Sequence, residues 1–208
     1  MAHAGLSVVQ VIKQLCNPAP QADSQQVVQT ALALLDRRIK AAFTPDVYSL
    51  EIEESAIWLD HLEPPSLDAS HTPLLVYWMN RYAHQQQEFS QILHRYRDPS
   101  LKRLGCVVIG QLVNDYTASL RSRLLEIIED SSLTQVVVAS LISCEEAESE
   151  FRADFSGLVD IKSVSLVSFE RKEQLTPLRG SLYQALELPT GPMRMIFMPP
   201  HLKRRIFN

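Results

Sequence analysis

Residues 98–130 read DPSLKRLGCVVIGQLVNDYTASLRSRLLEIIED, and the layout expected of the whole chain turns on them. Asp98 followed by Pro99 is a helix-start signal: the carboxylate can accept from a free first-turn N–H, and proline in the first helical position loses only a donor without a partner. Beyond it, Leu101, Leu104, Val108, Leu112, Tyr116, Leu120, Leu124 and Ile127 recur at three- and four-residue steps, with Val113, Leu125 and Ile128 widening the stripe. This periodicity predicts one long helix, roughly 45 Å from end to end at about 1.5 Å per residue. Gly105 and Gly110 read as local thinning where another helix approaches, with a break near Asn114–Asp115 as the competing account. A helix this apolar needs partners on at least two sides.

The preceding segments supply those partners. Ser7 to Cys16 reads as a short amphipathic helix ended by Asn17-Pro18-Ala19-Pro20. Asp23 or Ser24 caps a second helix reaching Phe43, which Thr44-Pro45-Asp46 breaks. A third, shorter helical region covers Tyr48 to Leu62, although its LEIE portion alternates like a strand. After a proline-marked loop from Glu63 to His71, Thr72-Pro73 opens a fourth helix running to about Arg97. Its polar middle, His84-Gln85-Gln86-Gln87-Glu88, should face solvent. Two long helices joined by so short a turn should pack antiparallel.

Past Asp130 the texture changes. QVVVASLIS (135–143) is a continuous β-branched run, 144–155 is charged and helix-friendly, and 159–170 is again rich in Val, Ile and Ser. Leu178 to Leu188 reads as a helix and Met193 to Met198 as a last short strand. Apolar, non-alternating strands between helices point to a small, largely parallel sheet, with an all-helical 133–156 as the alternative. The expected fold is therefore mainly α, of α+β type. An N-terminal helical bundle domain (1–130) precedes a small C-terminal α/β domain with about three strands (132–208).

Composition sets bounds on function. The 208 residues are 46% hydrophobic with a formal net charge of −4, which disfavours a whole-surface nucleic-acid binder but not a local basic patch. No stretch approaches the roughly 18 consecutive apolar residues of a membrane span, and MAHAGLSVVQVIKQL lacks the features of a secretory signal. Three widely spaced cysteines in apolar segments fit reduced, buried thiols. An intracellular protein, cytoplasmic or nuclear, is expected.

Signatures that would name a reaction are missing: no glycine-rich phosphate loop before a lysine, no GxGxxG, CxxC, HExxH, calcium loop or GxSxG. No catalytic residue, metal or cofactor is assigned. His84 with Glu88, and His61 with Asp60 and Glu63, are compatible with local ion pairs on solvated faces. Glu51, Glu53 and Glu54 form an acidic cluster whose pKa values would split if buried together, and which is a charged face if exposed. Thr176-Pro177-Leu178-Arg179-Gly180-Ser181 would set a helix N-terminus after a strand, where Arg179 could hold an anion. Two basic patches are the candidate binding residues: Arg95, Tyr96 and Arg97 with Lys102 and Arg103, and the tail Lys203, Arg204 and Arg205 with Phe207.

These readings favour a non-enzymatic assembly or adaptor subunit that acts through protein–protein contacts, as a homo-oligomer or with other chains. Trp58, Trp78, Tyr82, Phe89 and Phe207 exceed what one helical face needs, which motivates that expectation. The alternatives are a nucleic-acid-associated subunit using the basic patches, and an enzyme with a site at the ends of the 133–143 and 159–170 strands.

Overall fold

CVVIGQLVN, within the 98–130 stretch, is a strand. All nine of its residues from Cys106 to Asn114 are buried, and a strand covered on both faces carries an unbroken apolar run rather than an alternating one. In the computed structural model, which describes residues 24–62, 71–85, 87–129, 132–188 and Lys203, the chain breaks after Asn114 and enters a helix at Ala118. Thr117 is the N-cap, its side chain accepting from the Leu120 N–H at 3.4 Å. The break near Asn114–Asp115 is thus the account that holds, and the single long helix is corrected.

The described elements, in chain order, are α1 (Ser24–Ala42), β1 (Val47–Glu51), α2 (Ile52–Leu62), β2 (Leu74–His84), β3 (Gln87–Arg97), β4 (Cys106–Asn114), α3 (Ala118–Ile128), β5 (Gln135–Cys144), α4 (Glu145–Asp154), β6 (Asp160–Phe169), a 3-10 turn (Lys172–Gln174) and α5 (Leu175–Ala185). The strands form one six-stranded sheet in the order β3-β2-β1-β4-β5-β6. Every neighbouring pair is parallel except β2–β3, which is antiparallel. Helices cover both faces. Leu32, Leu35, Trp58, Leu59, Leu175 and Leu182 of α1, α2 and α5 pack with Leu50, Val108 and Leu141 on one face. Leu120, Leu124 and Ile127 of α3 pack with Phe151 of α4 against Val107, Ile109 and Val138 on the other.

This α/β architecture replaces the expected N-terminal helical bundle with its small C-terminal module. The sheet runs through the expected division at 130–132, because β4 and β5 are adjacent and in register from Cys106↔Gln135 to Asn114↔Ser143. The largest misreading is 72–97, which forms the β2–β3 hairpin and not a helix. Its two apolar sets sit on opposite faces: Leu74, Val76 and Trp78 on the α1/α2 side, Leu75, Tyr77 and Met79 on the α3 side. Both faces of β2 are buried from Leu74 to Met79 whereas β3 is largely exposed, so no every-second-residue signal survives in β2, and the apolar residues of the hairpin fall by chance into helical spacing. The polar run expected to face solvent spans the end of β2 and the start of β3, with Gln85 in the left-handed region at φ 47°. In the third region, Val47–Glu51 is strand and Ile52–Leu62 helix, the boundary falling within LEIE. The short helix expected at 7–16 and the last strand at 193–198 lie outside the described residues.

The hairpin outreaches the rest of the sheet. β1 ends opposite Tyr77 of β2, so the remainder of β2 and its partner project beyond the carboxyl end of β1 and lie across α3, where the Ser122 hydroxyl donates to the Ser90 carbonyl at 3.1 Å. The ladder slips between Trp78 and Met79, whose partners are His94 and Ile92, so Leu93 is an extra residue in β3. Among the described residues, no helix is long and apolar enough to cross a membrane.

Gly110 shows how tightly the central layer is closed. A Cβ built there would lie 2.8 Å from Leu50 Cδ2 and 2.9 Å from Trp58 Cε2. Both neighbours are fully buried, so neither can yield. The thinning expected at this glycine is real, although it admits a helix side chain against a strand. Gly110→Ala should destabilise the fold by about 1–3 kcal/mol, read as a lowered urea midpoint with unchanged m-value. An unshifted midpoint would contradict the close approach.

Candidate functional site

The chain visits β1 first, moves outward through β2 to β3, then returns to lay β4 on the other side of β1. Strand order therefore reverses direction between β1 and β4, and in open α/β sheets the crevice beyond the carboxyl ends at such a point is where ligands bind. Glu51 ends β1 and points into that crevice. The residue is buried and its carboxylate is paired with the Arg81 guanidinium from the projecting part of β2. The Ser119 hydroxyl, from the first turn of α3, donates to Oε1. Arg123 Nη2, one turn further along α3, lies 3.4 Å from the same oxygen. Burial works to raise the Glu51 pKa, but the Arg81 and Arg123 charges and the Ser119 hydrogen bond outweigh it and hold it down at about 2.

Arg123 is completely buried, and among the described residues its Nε and Nη1 have no hydrogen-bond partner. Its position explains the burial: Leu120, Arg123, Leu124 and Ile127 are one inward stripe at steps of three and four. Glu51 is what makes a guanidinium tolerable there.

Glu54, three residues on in the first turn of α2, is in the opposite state. Oε2 accepts the Leu112 N–H of β4 at 2.9 Å, and Oε1 accepts from the Tyr183 hydroxyl of α5. Burial, followed by the neighbouring Glu51 charge, pushes its pKa up to about 7 against the opposing pull of Tyr183, Arg179 and the Leu112 amide. Two neighbouring carboxylates are thus driven apart, the pKa of one held down by the cations it meets and that of the other pushed up by burial.

A third layer closes the crevice. Arg179 of α5 pairs with Asp115, the first residue past β4, and its Cζ lies 5.5 Å from the centre of the Tyr183 ring. Tyr116 follows Asp115 with φ 54°, a left-handed backbone that costs about 1–2 kcal/mol outside glycine. Its amide donates to Asn114 Oδ1 at 3.2 Å, its hydroxyl donates to Asp154, and its ring meets Phe151 edge-on at 5.3 Å. The crevice opens to solvent through a cleft of about 260 Å³ whose wall includes Arg81, Tyr82, Phe89, Thr117, Ser119 and Arg179. Tyr82 and Phe89 face one another across the hairpin, ring centres 5.5 Å apart and 14° from parallel, and are 51% and 39% exposed.

The fold is similar to that of the AQ2163 protein from Aquifex aeolicus. The two agree with a TM-score of 0.55 at 15% sequence identity, over 82% of this chain and 86% of that one. Two further solved structures align less closely. Orotate phosphoribosyltransferase from Mycobacterium tuberculosis with inorganic phosphate gives a TM-score of 0.47 at 8% identity, over 83% of this chain and 98% of its own. Adenine phosphoribosyltransferase from Thermoanaerobacter pseudethanolicus gives 0.44 at 11% identity, over 69% and 81%. No protein-family model and no curated protein matches the sequence.

The expectation of a non-enzymatic adaptor is corrected at its premise. It rested on a helical body with surplus bulky side chains, whereas the chain is a layered α/β fold around one six-stranded sheet. Trp58 and Trp78 are buried core residues, and Tyr82 and Phe89 flank the cleft.

The basic residues singled out in the sequence lie away from this crevice. Arg95 and Arg97 share one face of β3 beside Tyr77 and Glu126, in a separate cavity of about 190 Å³, and Arg95 is ion-paired with Glu126. Tyr96 faces the other way and packs on the core of the α1/α2 side. Lys102 and Arg103 are exposed in the following loop, and Lys203 is exposed; Arg204, Arg205 and Phe207 lie outside the described residues. His84 and Glu88 sit on opposite strands of the hairpin, diagonal to one another. His61 lies 3.8 Å from Asp36 of α1, and Glu63 lies outside the described residues. Of the sequence candidates, the structure brings Glu51, Glu54 and Arg179 together. Arg81, Asp115, Ser119, Arg123 and Tyr183 were missed. Arg123 had a signal, a charge on an apolar helical stripe, and Arg81 had one once 74–84 is read as strand, since it continues the Tyr77–Met79 alternation.

The two glutamates contribute to stability with opposite signs. Glu51 has a lowered pKa, so its contribution is present above about pH 4.5 and is lost as pH falls through about 2. Glu54 has a raised pKa, so its contribution is full below about pH 4.5 and is lost as pH rises through about 7. Urea unfolding between about pH 5 and 8 should show the wild type losing a few kcal/mol across neutrality, and Glu54→Gln should flatten that loss. Parallel profiles for the two proteins would contradict the assignment.

Proposed function

We propose that the chain is an enzyme acting on a small anionic molecule held at the carboxyl ends of β1, β2 and β4. The observation that carries this reading is the buried charge cluster at the strand switch point, opening to solvent through Arg81, Ser119 and Arg179. Three guanidinium groups (Arg81, Arg123, Arg179) are set there against Glu51, Asp115 and a Glu54 that is only partly ionised at neutral pH. On the cleft wall itself two guanidinium groups, Arg81 and Arg179, stand beside one carboxylate, Glu88, and they are the groups an entering anion would meet. The wall contributed by the N-terminal turn of α3 adds the positive end of a helix dipole.

Each group has a separable task. Arg81 and Arg179 line the cleft and face the ligand's charge. Tyr82 and Phe89 supply an apolar wall on the projecting hairpin. Glu51 and Arg123 act behind them, orienting Arg81 and Ser119. Glu54 is a positioning residue: through Tyr183 it anchors α5, and with it Arg179. A carboxyl poised near neutrality in such a crevice is the sort of group that proton-transfer chemistry requires.

The test is a thermal-shift and calorimetric screen of phosphate-, diphosphate- and carboxylate-bearing metabolites, with 5-phospho-α-D-ribosyl 1-diphosphate among them. At least one should raise the Tm, as ligand binding to the folded state alone must. Arg179→Gln and Phe89→Ala should each weaken that ligand by about tenfold or more. A screen in which no anionic compound binds, or in which both variants bind as the wild type does, would sink the reading.

A further inference from the structure

We propose that Asp115 is a built-in competitor for the ligand: its carboxylate takes the place on Arg179 that an oxyanion of the substrate takes when it binds. The proposal rests on the anion-binding reading of the cleft, and concerns how that site is gated.

The charged groups of the crevice are not equally held. Glu51 is gripped by Arg81, Ser119 and Arg123, and its side chain is only 5% exposed. Glu54 is tied to the Leu112 amide and Tyr183. Asp115 differs from both. Its Oδ2 meets Arg179, while its Oδ1 is buried with no hydrogen-bond partner among the described residues. A carboxylate with one oxygen unsatisfied is the least costly of the three to move.

The geometry lets it leave. Asp115 lies in the short connection between β4 and α3, with its side chain 20% exposed and that of Arg179 21% exposed. Rotation of the Asp115 side chain releases Arg179 without disturbing the flanking backbone, which Asn114 Oδ1, Asp154 and Phe151 hold at Tyr116. Arg179 lines the cleft and so presents the released guanidinium to an incoming group. Replacing one oxyanion by another leaves the Arg179 guanidinium with an anionic partner throughout, so its charge is never unmet. A neutral ligand cannot make this exchange, so the contact discriminates for charge as well as gating.

The test uses inorganic phosphate as the probe, titrated calorimetrically at fixed ionic strength into the full chain. Asp115→Asn should bind phosphate at least about tenfold more tightly than the wild type, because the competitor is gone. Adding Arg179→Gln should erase the gain. A merely structural bridge would behave oppositely, since losing it would loosen α5 and weaken binding. Equal or weaker binding by Asp115→Asn overturns the proposal, as does phosphate binding to neither protein. If phosphate binds both alike and Arg179→Gln abolishes it, the cleft reading stands and only the competition falls. If Arg179→Gln binds phosphate as the wild type does, both fall. Should Asp115→Asn not fold, Asp115→Ser and the wild-type Arg179 Nε–H resonance decide. That resonance should move as phosphate saturates, and a stationary signal overturns the proposal.

Discussion

A carboxylate taken out of water at the end of a central strand is the constraint around which the molecule is arranged. Burying Glu51 costs several kcal/mol unless its charge is met, and the groups that meet it come from two other elements, Arg81 on the hairpin and Arg123 with Ser119 on α3. Neither reaches Glu51 unless the hairpin lies across α3 and α3 lies against the sheet. The charge thus couples three elements that apolar packing alone would allow to slide. The other end of β1 is fixed in a similar way. Asp46 Oδ2 accepts from the Gly105 and Cys106 amides at 2.9 and 2.8 Å, setting the start of β4, and Asp36 of α1 accepts from the Tyr48 hydroxyl at 2.6 Å.

The same constraint explains why Glu51 and Glu54 behave so differently despite lying three residues apart. Glu51 faces two guanidinium groups directly. Glu54 points to the opposite side of the central strands, toward α5, where its donors are a backbone amide and a phenol and where Arg179 is already engaged by Asp115. Desolvation is common to both; only one has a cation in contact. Proximity in sequence therefore says nothing about charge state. The partner that each side chain meets across the sheet decides it.

Much of the local structure could be read from residue patterns, and the long-range arrangement could not. α1 begins at Ser24 where a cap was expected, and Gln135–Cys144 and Asp160–Phe169 are strands where β-branched runs suggested them. In contrast, Leu74–His84 and Cys106–Asn114 carry apolar residues on both faces, so no period-2 signal survives, and 98–130 could imitate an amphipathic helix. With those two strands misassigned, the sheet lost its centre, and the expected fold became a bundle. The candidate site was legible to a similar degree. Glu51 and Glu54 stood out as carboxylates that would diverge if buried, and Arg179 as an anion holder, yet nothing local reveals that Arg81 and Arg123 arrive from elsewhere to make burial tolerable.

The two outer strands have one further consequence. β3 and β6 each leave one edge without a described neighbour, and an open edge invites intermolecular strand addition and, from there, fibrous aggregates. Both are blunted. The surplus Leu93 kinks the β3 backbone out of regular register beside the cationic side chains of Arg95 and Arg97, and on β6 the Arg38 guanidinium caps the Ser165 carbonyl at 2.9 Å while Asp160 and Lys162 place charge along the margin. The irregularity that interrupts the hairpin's own ladder also makes it a poor template for a stranger's backbone.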